Sequence, residues 1–145
     1  MEFEAWLKRP EELDRKLYNL EEKIAILRSR AEKSTSVLSP TPGGSSCNDS
    51  RLEELVIKIA DLEKEEARME HEMAGVSAEL STFLSRLSSP VQMKILMMHY
   101  VELMSFDDIA RKISLPVRSM YRYHKEGLAE ARALYDAEHA GQSGE

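Results

Sequence analysis

A heptad repeat of apolar residues after position 50 constrains the fold more than any other feature of the chain. Its eleven positions alternate between spacings of three and four residues, and all but Glu66 are apolar. They are Leu52, Leu55, Ile59, Leu62, Glu66, Met69, Met73, Val76, Leu80, Phe83 and Leu87. A repeat sustained over five heptads predicts a long helix that packs against another helix along one narrow seam. Glu66, the polar member, is expected to weaken the middle of the seam and to help fix its register.

A second, shorter heptad seam precedes this one. It consists of Leu13, Leu17, Leu20, Ile24, Leu27 and Ala31. Residues 34–50 between the seams are rich in Ser, Thr, Pro and Gly, which predicts a flexible linker in which Pro40 and Pro42 interrupt any helix. We therefore expect a long antiparallel coiled-coil hairpin. The unmatched end of the longer seam predicts a homo-oligomer, and the sequence leaves open whether the coiled coil closes within one chain or between chains.

The length, charge and cysteine count of the chain exclude several classes of function. The chain has 145 residues, 32% of them charged, and a net charge of −6, which argues against a large two-domain enzyme and against a generally basic nucleic-acid coat. Cys47 is the single cysteine, so no intramolecular disulfide or multi-thiolate site forms. Residues 1–30 contain no unbroken apolar run, so we expect a cytoplasmic protein without a membrane segment. We also expect no catalytic site, metal or cofactor, because no phosphate loop, ligand cluster or nucleophile–base pair is visible.

From Ser88 onward the heptad repeat ends, and three shorter helices are predicted. Ser89 followed by Pro90, and Ser105 followed by two aspartates, are typical helix starts, and Pro116 is suited to open the last helix. The first of these helices is expected to run to about Leu103. A helix of about eight residues, a short turn and a longer helix together predict a helix-turn-helix, whose second helix enters the DNA major groove.

The last helix has two sides at helical spacing. Met120, Tyr123 and Leu128 are expected on the packing side, where Gly127 allows a close approach to a neighbouring helix. Charge is distributed accordingly: residues 86–132 carry a net +3, whereas residues 1–85 carry −6. Because counterion release rewards positive charge only where phosphates approach, this asymmetry favours a DNA-binding head on an acidic arm.

Four stretches of this region resemble the promoter-reading fourth region of bacterial sigma-70 factors: Ser105-Phe106-Asp107-Asp108-Ile109-Ala110, Ile113-Ser114-Leu115-Pro116, Met120-Tyr121-Arg122-Tyr123-His124 and Gly127-Leu128. Over nearly the whole chain, the order of elements resembles the small sigma-like proteins of phages and prophages of Gram-positive bacteria, akin to the ArpU and RinA late-gene activators. The resemblance implies a sequence-specific DNA-binding transcriptional regulator, with double-stranded DNA as ligand and host RNA polymerase as a candidate partner. Pro116 departs from the usual Ser or Thr cap, and Gly127 from the usual Ala.

The resemblance also implies which residues face DNA. The outward positions of the recognition helix are Val117, Arg118, Tyr121, Arg122 and Lys125. Chemistry suggests that Arg118 and Arg122 each contact guanine O6 and N7, and that Tyr121 meets a thymine methyl or a phosphate. Phosphate contacts are expected from Ser119, Lys125, Arg111 and Lys112. His124 is expected to be a packed or surface histidine and not a contact.

The resulting domain prediction divides the chain into five parts: residues 1–33 (leader and first heptad helix), 34–50 (linker), 51–87 (long heptad helix), 88–135 (three-helix helix-turn-helix) and 136–145 (disordered tail). Two other functions stay open at this point. One is an adaptor that docks RNA polymerase or a phage assembly component without reading DNA. The other is a small terminase-like subunit, which also joins a helix-turn-helix to oligomerising helices.

Overall fold

The protein is helical throughout the part that the computed structural model describes, residues 1–36 and 45–140. The helices are α1 (Phe3–Leu7), α2 (Arg9–Ser36), α3 (Ser45–Leu84), α4 (Pro90–Leu96), a π-helical turn (Met97–Val101), α5 (Phe106–Ile113) and α6 (Val117–His139). No strand occurs in these ranges, so the prediction of an all-α fold is confirmed. None of the helices there combines the length and the apolar character that a bilayer-spanning segment needs.

The chain forms two compact units. The arm unit consists of Leu13–Met73, and the head unit consists of Met1–Glu12 together with the chain from Ala74 onward. The leader, which the sequence pattern grouped with the first heptad helix, therefore belongs to the head unit.

In the arm unit, the heptad positions are buried or half-buried. Leu13, Leu17, Leu20 and Ile24 of α2 are buried. The seam positions of α3 from Leu52 to Met73, including Glu66, are half-buried, and an Arg28–Glu63 ion pair joins the two helices. The narrow apolar stripe is buried because each helix offers the other only one face.

Both helices of the arm unit extend into the predicted linker. Residues 34–36 belong to α2 and residues 45–50 to α3, so the boundaries of the linker were wrong on both sides. Residues 37–44, which contain Pro40 and Pro42, lie outside the described residues.

Residues 136–139, which were predicted to belong to a disordered tail, are instead part of α6. Its last turns are anchored by the buried Tyr135, whose ring stacks on the His139 ring with centroids 4.0 Å apart. An ion pair between Arg86 and Glu138 adds a second attachment. Residues 141–145 lie outside the described residues.

The larger core of the head unit is built around α1. Trp6 meets the ring of Phe83 edge-on at 4.8 Å and the ring of Tyr135 at 5.1 Å, and Phe3 and Leu7 are buried beside it. Arg9 places its guanidinium 5.0 Å from the Trp6 ring centroid and pairs with Glu79 at 3.2 Å. These contacts fix α1 against the ends of α3 and α6.

The smaller core of the head unit lies between α4, α5 and α6. It consists of Ile95, Met98, Ile109, Ala110 and Met120. The predicted serine caps are confirmed. Ser89 Oγ accepts from the Gln92 amide at 3.3 Å, and Ser105 Oγ accepts from the Asp108 amide at 3.2 Å.

The helix that was predicted to run to about Leu103 is α-helical only in its first part. It leaves α-helical geometry after Leu96 and continues as the π-helical turn to Val101. Leu103 then adopts a left-handed conformation with φ of 60°. The His99 ring holds this irregular segment in place, with Nδ1 lying 2.9 Å from the Met104 carbonyl oxygen. The sequence pattern of this segment does not predict the contact.

Candidate nucleic-acid interface

The connection between α5 and α6 sets the direction of α6. Ser114 caps α5 in a left-handed conformation, with φ of 55° and ψ of 42°, and the Leu115 amide donates to the Ala110 carbonyl at 3.1 Å. Pro116 then precedes the first residue of α6. Met120, fully buried, ties this first part of α6 to the smaller core.

One side of α6 is exposed over its first half. Val117 and Tyr121 are 44% and 47% exposed. Arg118, Arg122 and Lys125 are exposed as well. At 3.6 residues per turn these five positions cover less than half the circumference of the helix. The structure therefore brings together the five outward positions that the resemblance implies.

Two of these side chains are supported by aromatic neighbours. The Arg122 guanidinium lies 5.1 Å from the Tyr123 ring centroid, and the Tyr121 ring lies 5.1 Å from the ring of Phe106 in α5. Such contacts restrict side-chain motion and so reduce the entropy lost when a ligand binds.

The remaining expected contacts are less well placed. Arg111 forms an ion pair with Asp108 within α5, so its charge is partly neutralised. Lys112 lines a separate depression of about 360 Å³ with Val91, Lys94, Ile113, Leu115 and Tyr123. Ser119 is half-buried on the flank of α6 that also carries Tyr123. These three residues lie outside the group of five.

The opposite side of α6 packs as predicted. Met120 is buried, and Tyr123 and Leu128 are half-buried against the two cores. A Cβ atom at Gly127 would come within 3.1 Å of Leu96 Cδ1 and 3.2 Å of Gln92 Cβ. The close approach of α4 and α6 at Gly127 is therefore confirmed.

A cluster of aromatic rings packs behind the exposed side of α6. The His99 ring stacks on Phe106 with centroids 4.0 Å apart, and the His124 ring lies 4.9 Å from Phe106. The Tyr100 hydroxyl lies 3.0 Å from His124 Nε2. His124 is thus a packed histidine, as the sequence analysis expected. The cluster joins the π-helical turn, α5 and α6.

Burial determines the protonation of this cluster. Desolvation, with a smaller contribution from the nearby His99, lowers the pKa of His124 to about 4. Desolvation, followed by the charges of Glu4 and Glu11, raises the pKa of Tyr100 to about 12. At neutral pH, both side chains are therefore uncharged, and the Tyr100 hydroxyl can donate to the neutral imidazole.

Carboxylates of the arm unit form the one group with metal-ligand geometry among the described residues. Oxygen atoms of Glu21, Glu66 and Glu70 lie within 4.8 Å of one another. Glu21 and Glu70 are exposed and Glu66 is half-buried. The group is an acidic cluster on a charged helix surface, and its main consequence is mutual repulsion of like charges.

A groove on the head unit between α1 and α6 was not predicted from the sequence. It has a volume of about 430 Å³ and is lined by Phe3, Glu4, Leu7, Lys8, Tyr100, Lys125, Leu128, Ala129 and Arg132. The available signal was the apolar spacing of Phe3, Trp6 and Leu7, which is that of one helical turn. The groove shares Lys125 with the exposed side of α6.

Comparison of the chain with protein-family models, with curated protein sequences and with solved structures finds no match.

Proposed function

We propose that the protein is a sequence-specific DNA-binding transcriptional regulator of the phage and prophage sigma-like kind. In this proposal α5 and α6 are a helix-turn-helix of the sigma-70 region-four type, carried on a long antiparallel coiled-coil hairpin. The observation that carries the proposal is the exposed side of α6, where Val117, Arg118, Tyr121, Arg122 and Lys125 stand together while Met120 anchors the same turns from behind.

The chemistry of this side suits the edges of base pairs. Arg118 and Arg122 stand one helical turn apart, and each can offer a guanidinium fork to guanine O6 and N7, at about 1–3 kcal/mol of discrimination per good pair. Val117 and Tyr121 can contact thymine methyl groups. Lys125, further along the helix, is suited to a phosphate.

The distribution of charge supports the same ligand. Residues 86–132 carry a net +3 within a chain of net charge −6. Within this segment, Arg118, Arg122 and Lys125 place positive charge on the exposed side of α6, where phosphates can approach.

The arm is proposed to form a homo-oligomer. Tyr18, Ile26, Val56 and Ile57 of the arm unit are each more than half exposed, although all four are large and apolar or aromatic. Contacts between copies would remove such side chains from water. A symmetric dimer predicts two half-sites about one helical turn of DNA apart, or a multiple of that distance.

A fluorescence-anisotropy titration against duplex fragments from around the protein's own gene, with scrambled duplexes as controls, tests this proposal. The comparison is between the wild type and the double variant Arg118→Ala/Arg122→Ala at two salt concentrations. The matched control is Arg30→Ala/Arg51→Ala, which removes the same charge from exposed positions of the arm unit.

We expect the wild type to prefer one fragment by about tenfold or more, because two lost bidentate contacts correspond to at least that factor. The double variant should lose the preference, and the arm control should keep it. Absence of wild-type binding even at low salt, or an unchanged preference in the double variant, would contradict the proposal. A pull-down with RNA polymerase would then test the adaptor function.

A further inference from the structure

The groove between α1 and α6 combines an apolar floor with a basic rim. Phe3, Leu7 and Tyr100 form the floor and are almost completely buried, and the half-buried Leu128 extends it along α6. Lys8, Lys125 and Arg132 line the edge and are exposed. A volume of about 430 Å³ is enough for several side chains of a ligand.

The charge of the groove is opposite to that of the chain. Three cations and one carboxylate, that of Glu4, line the groove, whereas the whole chain has a net charge of −6. Further carboxylates lie nearby: the charge of Glu11 acts on Tyr100 in the floor, and Arg132 shares a neighbouring depression with Glu2 and Asp136. Within the described part of the chain, none of the three cations forms an ion pair with a carboxylate. Their charge is thus available to an anionic ligand.

We propose that this groove binds an acidic amphipathic helix of a partner protein. The apolar floor matches the apolar stripe of such a helix, and the lysines and arginine match its carboxylates. This inference goes beyond DNA binding, and its principal residues, Lys8 and Arg132, lie outside the exposed first half of α6.

The length of the groove indicates how much of a helix it accommodates. Lys125 and Arg132 are separated by seven residues, or about 10 Å along α6 at 1.5 Å per residue. A partner helix lying along α6 would contact it over about two turns. Apolar residues at positions i, i+4 and i+7 would reach the floor, and acidic residues flanking them would reach the rim.

A nucleic-acid backbone suits this groove less well. Phosphates gain nothing from contact with the apolar floor, and Glu4 would repel them at the rim. An amphipathic peptide uses both the floor and the rim, which is why we favour a protein ligand.

Selection from a library of random 16-residue peptides displayed on phage, with the full-length wild type as bait, tests the inference. Counter-selection uses Lys8→Glu/Arg132→Glu, which reverses the charge of the rim without touching the floor. The matched control Arg30→Glu/Lys64→Glu makes the same charge change at exposed positions of the arm unit. Binding of the enriched peptides, made synthetically, is then measured by fluorescence anisotropy, and circular dichroism checks that each variant is folded.

We expect the enriched peptides to be acidic with apolar residues at helical spacing. Their affinity should fall at least tenfold with Lys8→Glu/Arg132→Glu and stay unchanged with the arm control. Enrichment of neutral or basic peptides, no enrichment over the counter-selected variant, or equal binding by that variant overturns the inference. So does a loss of self-association in the rim variant by sedimentation equilibrium, because the groove would then be a contact between copies. None of these outcomes depends on DNA binding.

Discussion

At the scale of single residues, His124 links the stability of the head unit to pH. Its pKa is about 4 in the folded protein, below the value of about 6.5 expected for an unfolded chain. The folded state therefore prefers the neutral ring. This contribution to the free energy of unfolding is complete above about pH 6.5 and is lost as the pH falls towards 4.

We predict that the urea midpoint of the wild type falls between pH 7 and pH 5 more steeply than that of His124→Gln. Glutamine keeps an acceptor for the Tyr100 hydroxyl but does not titrate. His71→Gln, at an exposed position of the arm unit, serves as the control and should follow the wild type. Parallel curves for the wild type and His124→Gln would show that the buried ring does not contribute to the pH dependence.

Ser114 provides a second test at this scale, because it holds a left-handed conformation with φ of 55°. A residue with a Cβ atom pays about 1 kcal/mol or more for this conformation, whereas glycine does not. Ser114→Gly should raise the free energy of unfolding by about 0.5 kcal/mol, since glycine also loses more backbone entropy on folding. Ser114→Ala retains the strain and should bring no gain. A lower urea midpoint for the glycine variant would contradict this account of the turn.

At the scale of helices, Gly127 sets the distance between α4 and α6. An alanine there gains about 1 kcal/mol of helix propensity, but its Cβ would meet the fully buried Leu96 at 3.1 Å. Overpacking of a filled core costs about 1–3 kcal/mol, so we expect a net loss of about 1 kcal/mol for Gly127→Ala.

Gly75 is the matched control for that substitution. It lies within α3, and a Cβ there would meet no atom within 4 Å. Gly75→Ala should therefore gain about 1 kcal/mol, the full difference in helix propensity. Thermal unfolding followed by circular dichroism measures both variants. Changes of the same sign would contradict the packing argument.

Glu66 tests the seam of the arm unit. Its carboxylate lies within 4.8 Å of those of Glu21 and Glu70. Glu66 also occupies a position of the heptad seam whose other members are apolar. Glu66→Leu removes the repulsion and completes the apolar stripe, so the free energy of unfolding should rise by about 1 kcal/mol. Glu53→Leu, at an exposed position of α3, should leave it nearly unchanged. Equal effects of the two substitutions would show that position 66 behaves as ordinary surface.

At the scale of the whole molecule, local patterns predicted the all-α fold and much of its packing. The heptad spacing identified the buried positions of α2, and Ser89 and Ser105 identified two helix starts. Four of the five outward positions of α6 follow from its helical period, whereas Val117 rests on the resemblance to sigma factors.

Features that depend on distant contacts were not predictable from the sequence. Helix α1 is five residues long and is held by partners such as Phe83 and Tyr135, far along the chain. The groove beside it exists only once these contacts form. The π-helical turn also packs against distant partners, because the His99 ring stacks on Phe106 and the Tyr100 hydroxyl contacts His124.

We propose that the exposed side of α6 reads duplex DNA. Amide chemical-shift mapping of isotope-labelled full-length protein, titrated with the duplex that it prefers, locates the binding surface residue by residue. We predict that the largest changes fall on residues 117–125 of α6 and on the start of α5 at Ser105 and Phe106, and that the arm unit stays unchanged. Changes confined to the arm unit, or to Phe3, Leu7 and Arg132 around the groove, would contradict the claim.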